Sequence, residues 1–535
     1  MSYCRAAWGC ASRDAAILVA AGVLCVILSS CGPASSRERR ATVVYASGAD
    51  LQSINPLVAV HPLAKAVQKH VLFMTLATYD AEFQAIPRLA DWVWNEDGTT
   101  LTFRLRADVW WHDGVSTRAR DVVWTIQAAL DPVVAYPRRR DLSTITSVQE
   151  VDSLTVRLQF ERPQPVFPDV LTDLAILPAH RLGGLASLEL RTAQFNRAPV
   201  GNGPFQFVEY RPNQRWVFRR SEAFPVDLGK PEVEQLVIVV VDEPTTKLAA
   251  LTSGELDFAG ISPAHASFVN RDPRLRAIDY PIQLVYAIVW NLRRPPFDDI
   301  RVRRALAAAL DRRLIVDAYI YGFGTVADGP VPPEHPWYVE VDAIPFDPEL
   351  AAVLLEQAGW RIGADGVRYN GAERLEINLM TVGSGDAPLE QMIQAQLSDI
   401  GVEVNIHQFE LTAFLATAQS PERDFDALVT GIPGDFSLGH VAAMFESTDP
   451  GPLAYPGYRS VDLDLALQVA REAATESEVR SAWHEVQRIL ARDYPCTWLY
   501  HARGLQGANR RISNAEIDLR GELAGIARWR LGDTQ

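Results

Sequence analysis

The segment from Asp91 to Trp124, DWVWNEDGTTLTFRLRADVWWHDGVSTRARDVVW, leaves the chain little choice of local structure, because a turn, a strand and a helix follow one another without slack. Asn95-Glu96-Asp97-Gly98 is turn chemistry between apolar residues. Leu101, Phe103 and Leu105 then alternate with Thr102, Arg104 and Arg106, which predicts a strand buried on one face. His112-Asp113-Gly114 breaks the chain again, Ser116 or Thr117 is expected to cap a helix, and Val122, Val123, Ile126 and Leu130 supply its apolar stripe. Strand followed by helix recurs downstream: Leu236 to Val241 precedes Thr245 to Ser253, and Glu376 to Met380, Leu389 to Leu397 and Val402 to His407 read strand, helix, strand. The expected class is α/β.

At 535 residues the chain is too long for one ordinary core, and about two to four domains are expected. Net charge is −15, and a product starting at Cys31 would lose Arg5, Arg13 and Asp14 and carry −16. Such an acidic chain has no electrostatic footprint for nucleic acid. Arg5 and Arg13 precede an apolar run from Ala15 to Leu28 that falls short of the ~20 residues a bilayer-spanning helix needs, so a cleaved signal is favoured over a permanent span. Leu28-Ser29-Ser30-Cys31 closes that run and resembles a lipobox, which implies cleavage after residue 30 and diacylglycerol on the Cys31 thiol. The chain would then work outside the cytoplasm, in the periplasm or on the cell surface, tethered to a bacterial membrane through residues 31–41. With Cys4, Cys10 and Cys25 in the signal, Cys496 is left alone among apolar neighbours, a packing residue and not part of a disulfide framework.

Several further words of sequence occur in a set order. They include Ser53-Ile54-Asn55-Pro56-Leu57, Ala175 to His180, Pro199-Val200-Gly201-Asn202-Gly203-Pro204-Phe205 and Ala249-Ala250-Leu251-Thr252-Ser253-Gly254-Glu255-Leu256-Asp257. Pro296 to Leu306 with Ala309 to Arg312, and Asp347-Pro348 running to Ala358-Gly359-Trp360, complete the series. Asp298 and Asp299 read as helix-start charges, and Arg301, Arg303 and Arg304 as a solvated helix face. From about residue 42 to 500 this order resembles the family 5 extracellular solute-binding proteins, which deliver oligopeptides and related solutes to ABC transporters. The resemblance implies a periplasmic-binding-protein type II fold, two α/β lobes around a cleft with an extra outer domain in the first lobe. The expected core lobe comprises 42–78, 179–280 and 499–535, the outer domain 79–178 and the second lobe 281–498.

Catalytic constellations are absent: no HExxH, GxSxG elbow, CxxC pair or P-loop occurs. The ten histidines are scattered without ligand spacing, so neither a metal nor a cofactor is expected. Where peptide-binding members of the family place the aspartate that pairs with a ligand's ammonium group, this chain has Gly431-Ile432-Pro433-Gly434-Asp435. By position Asp435 inherits that role, through charge-assisted hydrogen bonds. Ile432 and Pro433 replace the family's tryptophan and its neighbour, and Pro433 has no amide hydrogen to offer. Asp435 as a plain loop or helix-capping residue therefore stays open. Secondary candidates from the same resemblance are His61 in the first cleft loop, Tyr136 in the outer domain, and Tyr286, Trp290 and Asn291 at the crossing into the second lobe; Trp290 reads equally as core. The implied activity is that of a monomeric receptor that closes on a small solute, foremost a peptide, and docks on a membrane permease. Receptors for an oligosaccharide, metal chelate or haem, or a surface sensor or adaptor without transport, are the alternatives.

Overall fold

The computed structural model describes residues 41–59, 61–420, 422–448 and 453–532. The signal segment, Cys31 and the tether as far as residue 40 lie outside them. Two strands, Leu275–Trp290 and Cys496–Asn509, are 16 and 14 residues long and lie antiparallel. At roughly 3.3 Å per residue each is close to 50 Å in length, twice an ordinary strand. Their lower halves pair Leu275–Pro281 with Arg503–Asn509, their upper halves pair Val285–Val289 with residues 496–501, and the register shifts between Pro281 and Val285 and again between Tyr286 and Ala287. Such irregularities bend and twist a strand pair locally.

The two strands stand at the centre of an eleven-stranded mixed sheet. On one side the order continues through Phe258–Gly260, Thr42–Ser47, Gln235–Val240, Arg215–Arg220 and the edge strand Phe205–Arg211. On the other it continues through Ala427–Pro433, Glu376–Val382 and Glu403–Phe409, with Gly324–Val326 pairing separately against residues 500–502. In the second half, side-chain alternation sends Val285, Ala287 and Val289 to one face and Ile288 and Trp290 to the other, where each set joins a different buried cluster under helices. The chain is thus two α/β halves joined, within the sheet, by the two long strands alone.

A separate four-stranded antiparallel sheet, ordered Ala90–Trp94, Thr100–Leu105, Thr155–Phe160, Ile145–Asp152, carries the helix Ala119–Leu130. Leu101, Phe103 and Leu105 are buried, as their alternation predicts. The Asn95 carboxamide accepts from the amides of Thr99 and Thr100, and Gly98 takes the left-handed φ of +64° that closes the turn. The helix start differs from expectation. Neither Ser116 nor Thr117 caps it; Asp121, two residues into the helix, reaches back to the Arg118 amide at 2.9 Å while also accepting from the Trp111 indole and the Ala179 amide. One buried carboxylate therefore ties strand loop, helix and the exit toward residue 179 together.

One further reading is corrected. Arg303 is buried, not solvated: its guanidinium donates to the carbonyls of Asp493, Tyr494, Phe297 and Asp298, where the helix Glu476–Asp493 ends with unsatisfied acceptors. Gly201 and Gly203 are needed for close approach, since a Cβ at Gly201 would lie 2.0 Å from the Leu72 carbonyl oxygen. Asp299 does start its helix, accepting the Arg301 amide at 2.8 Å. Cys496 is buried.

The first half is locked by Asp257, which is fully buried. Arg511 from the C-terminal tail grips it bidentately at 2.7 Å and 2.7 Å, and the Val44 amide donates to it at 2.8 Å, so three distant segments converge on one carboxylate. Asp257→Asn leaves the guanidinium buried and is expected to cost about 3 to 5 kcal/mol in urea unfolding monitored by circular dichroism.

Candidate ligand-binding cleft

The strand Ala427–Pro433 runs antiparallel to Leu284–Trp290 and ends where Leu284 faces Pro433. The chain then turns, with the Gly434 amide donating to the Gln283 carbonyl at 2.8 Å, and presents Asp435 and Phe436 toward the first half. Phe436 packs between the halves: its ring lies 5.3 Å from Tyr79 and 5.1 Å from Phe83 on one side and 5.7 Å from His335 on the other. The two walls are therefore in contact.

Asp435 acts as the loop and helix-start residue that its position also allows. Its Oδ1 accepts from the Ser437 hydroxyl at 2.6 Å and the Gly439 amide at 3.0 Å, and Oδ2 accepts from the His440 amide at 3.3 Å, which organises the start of the helix Gly439–Phe445. About a third of its side chain stays exposed, at 33 %. Burial pushes its carboxyl up, but the hydrogen bond and charge of His440, the Ser437 hydroxyl and the Arg138 guanidinium outweigh this and hold it well below the usual range.

Arg138 belongs to the opposite wall and was missed in the sequence. Its guanidinium bonds Asp169 at 2.8 Å and Asp141 at 2.7 Å and approaches Asp173 at 3.4 Å, while Lys69 reaches Asp173 at 2.9 Å and the Tyr79 hydroxyl donates to Asp169 at 3.1 Å. Burial and the neighbouring Asp173 and Asp435 push the Asp169 carboxyl up despite the guanidinium. Asp173 is the reverse case: burial raises it, but Lys69, Lys65 and Arg138 bring it well down. Tyr136 is buried beside this cluster, its hydroxyl pushed up by burial and by Asp173. Three cations, Lys65, Lys69 and Arg138, thus face four carboxylates, Asp141, Asp169, Asp173 and Asp435.

Two imidazoles on the Asp435 side were also missed. The Trp337 amide donates to Nδ1 of His335 at 3.1 Å, so the proton of that ring sits on Nε2, whereas Nδ1 of His440 lies 3.3 Å from the Asp435 amide and 3.5 Å from the Asp435 carboxylate. Both Nε2 atoms are buried and without a partner. Burial and the nearby His440 hold His335 at about 4, hence neutral. His335 sits in Pro332-Pro333-Glu334-His335-Pro336, which carries no periodicity or motif to flag it.

The remaining candidates do not converge on this point. Trp290 is fully buried, stacked 5.4 Å from Phe297 with its indole N–H on the Thr497 hydroxyl, and offers no surface to a ligand. Asn291 is buried and spends its amide on the carbonyls of Arg423 and Phe425. Ile432 points into the core, Gly431 is covered by the Tyr286 ring, and Pro433 is exposed at the strand end. Tyr286 stacks on Tyr500 at 4.9 Å, on the face away from Phe436's neighbours. His61 precedes the helix Pro62–Val67, apart from Asp435; burial lowers it against the pull of Glu522 and Asp50. Among the described residues no group of three or more His, Cys, Asp or Glu could hold a metal ion, and no helix is long and apolar enough to cross a membrane.

The model for bacterial extracellular solute-binding proteins, family 5, matches residues 84–447. The chain belongs to this family. It is a solute-binding protein of ABC transport, and its chemistry is capture, not catalysis. It is 24 % identical to the oligopeptide-binding protein AppA of Bacillus subtilis, over 95 % of this chain and 96 % of the relative. Identity is 28 % to di/tripeptide-binding protein 2 of Pseudomonas aeruginosa, over 83 % and 86 %. Among solved structures, NikA from Brucella suis in complex with Fe(III)-EDTA superposes with a TM-score of 0.81 at 21 % identity, covering 92 % of this chain and 99 % of that one, which establishes the shared fold.

In this solute-binding protein Asp173 should be a pH-dependent keystone of the outer wall. Its carboxyl is depressed, so the stability it contributes is full above the unfolded value near 4 and is lost as pH falls below it. Asp173→Asn is expected to destabilise by about 3 kcal/mol at neutral pH. In thermal melts, the deficit should shrink as pH is lowered through 4 toward 3.

Proposed function

We propose that the protein is a lipid-anchored receptor, tethered through Cys31, that captures a peptide or peptide-like solute between its two halves and presents it to an ABC permease. The lobes are taken as 42–78 with 179–280 and 499–535, extended by the outer domain 79–178, against 281–498. The observation that carries the peptide reading is the charge balance at the closing wall: three cations serve four carboxylates, and Asp435, on the second half, raises Asp169 on the first electrostatically while the Arg138 guanidinium lowers Asp435. A ligand ammonium placed there would satisfy Asp435 and relieve the repulsion from Asp169, strengthening contact between the walls only when ligand is present. AppA and the di/tripeptide-binding relative, by their names, bind peptides, which supports the same class.

His335 and His440 favour a second reading alongside it. The buried Nε2–H of His335 and the buried Nε2 of His440, both without partners, suit a carboxylate, either of a peptide or of a chelate such as the Fe(III)-EDTA held by NikA.

Mass spectrometry of whatever co-purifies with the protein identifies the class directly, and a peptide is the expected result. Calorimetry with that ligand then tests Asp435. Asparagine caps a helix as well as aspartate does. Asp435→Asn therefore keeps the fold and should weaken an ammonium-bearing ligand about tenfold or more. Unchanged affinity would remove Asp435 from the site, and a co-purifying metal chelate without an amino terminus would transfer the assignment to the histidines.

A further inference from the structure

A second concave feature lies wholly on the first half, away from Asp435. It is a groove of about 510 Å³ between the turn Trp110–Gly114, the edge strand beginning at Phe205, and Ser221 to Ala223; no residue of 281–498 lines it. Trp110 forms one wall with its indole 49 % exposed, whereas its neighbour Trp111 is buried and anchored on Asp121. The turn is held rigid: Trp110 bridges Ser116, the Trp111 amide donates to the Val115 carbonyl at 2.7 Å, and the His112 amide donates to the Gly201 carbonyl at 2.8 Å. An aromatic platform fixed in this way loses little entropy on meeting a ligand.

The polar lining is unspent. Ser221 is only 7 % exposed, and neither its hydroxyl nor the Gln206 carboxamide hydrogen-bonds another described residue. His112 donates through Nε2 to the Gly203 carbonyl at 3.0 Å, which leaves Nδ1 an acceptor, buried and without a partner. The charges, by contrast, are matched. Glu222 takes Lys230 at 2.7 Å and Arg220 at 2.9 Å, and Asp113 takes His180 at 2.9 Å and Arg181 at 2.7 Å. A groove with an exposed indole, a free hydroxyl and a free amide, but no uncompensated charge, fits a neutral ligand that has one apolar face and a rim of hydroxyls.

We propose that this groove is a second ligand site, distinct from the cleft, that binds a saccharide: a pyranose ring on the Trp110 indole, with its hydroxyls bonded to Ser221 and Gln206. The ligand chemistry is that of glycan chains, which an extracellular protein meets at the cell surface.

The full chain in detergent is titrated with chitotriose, maltotriose and cellotriose, following tryptophan fluorescence and calorimetry. At least one sugar is expected to bind in the millimolar range, with Trp110→Ala weakening it about tenfold. Ser221→Ala and Gln206→Ala should each weaken it less, and Trp110→Ala, a substitution at an exposed position, should leave the melting temperature and the affinity for the co-purified cleft ligand unchanged. The proposal falls if none of the three sugars binds, or if binding survives Trp110→Ala and Ser221→Ala undiminished. It also falls if the cleft ligand competes the sugar away, since both would then share the cleft.

Discussion

The two halves of this protein are held in register by one pair of antiparallel strands. Leu275–Trp290 and Cys496–Asn509 run through both halves, and every other strand of the main sheet belongs to one side or the other. A pleated strand pair resists stretching but twists readily where its ladder is broken, and here the ladder is broken between Pro281 and Val285. A second irregularity follows between Tyr286 and Ala287, so the ladder is weakest where the strands pass from one half to the other. The consequence for function is thermodynamic. What holds the walls together without ligand includes the Phe436 contacts with Tyr79 and Phe83, worth about 0.5 to 1.5 kcal/mol each. Under the proposed receptor function, a ligand that touches both walls would add to terms of that size.

The closing wall is electrostatically tense in a useful way. Arg138 is shared among Asp141, Asp169 and Asp173 on its own side and still influences Asp435 on the other. Burial raises the cost of every charge in this set, and the cost is met only where cation and carboxylate are in contact. Asp173, with Lys69 at 2.9 Å, is well matched. Asp169, raised by burial and by the neighbouring Asp173 and Asp435, is the carboxylate of this set that is matched least well.

Patterns that repeat locally were legible from the residues alone. Alternation at Leu101, Phe103 and Leu105 gave the strand, Asn95 to Gly98 gave the turn, and the ordered words from residue 42 to 500 gave the family. What failed depended on partners distant in sequence. Arg303 looks solvated beside Arg301 and Arg304, and only the end of a helix nearly 200 residues later makes it a buried cap. Trp290 could be platform or core by composition, and the Thr497 hydroxyl decides for core. Arg138 and His335 lie in segments without period or motif, and their importance comes from the wall they happen to face. Gly201 carries its meaning in the carbonyl of Leu72, not in its own torsions.

The adjacent indoles of Trp110 and Trp111 show how one local pattern can serve both folding and recognition. Alternation along the bridge to Ser116 sends Trp111 inward, where Asp121 accepts its N–H and fixes the outer domain, and the same geometry forces Trp110 outward. A structural role accounts for the first; the second is one of several exposed apolar side chains, and such a side chain carries meaning only through its surroundings. Solvent would accept a threonine or an arginine at that position at no cost to the bridge. What sets Trp110 apart is the groove it borders, where the Ser221 hydroxyl and the Gln206 carboxamide keep hydrogen-bonding capacity unspent.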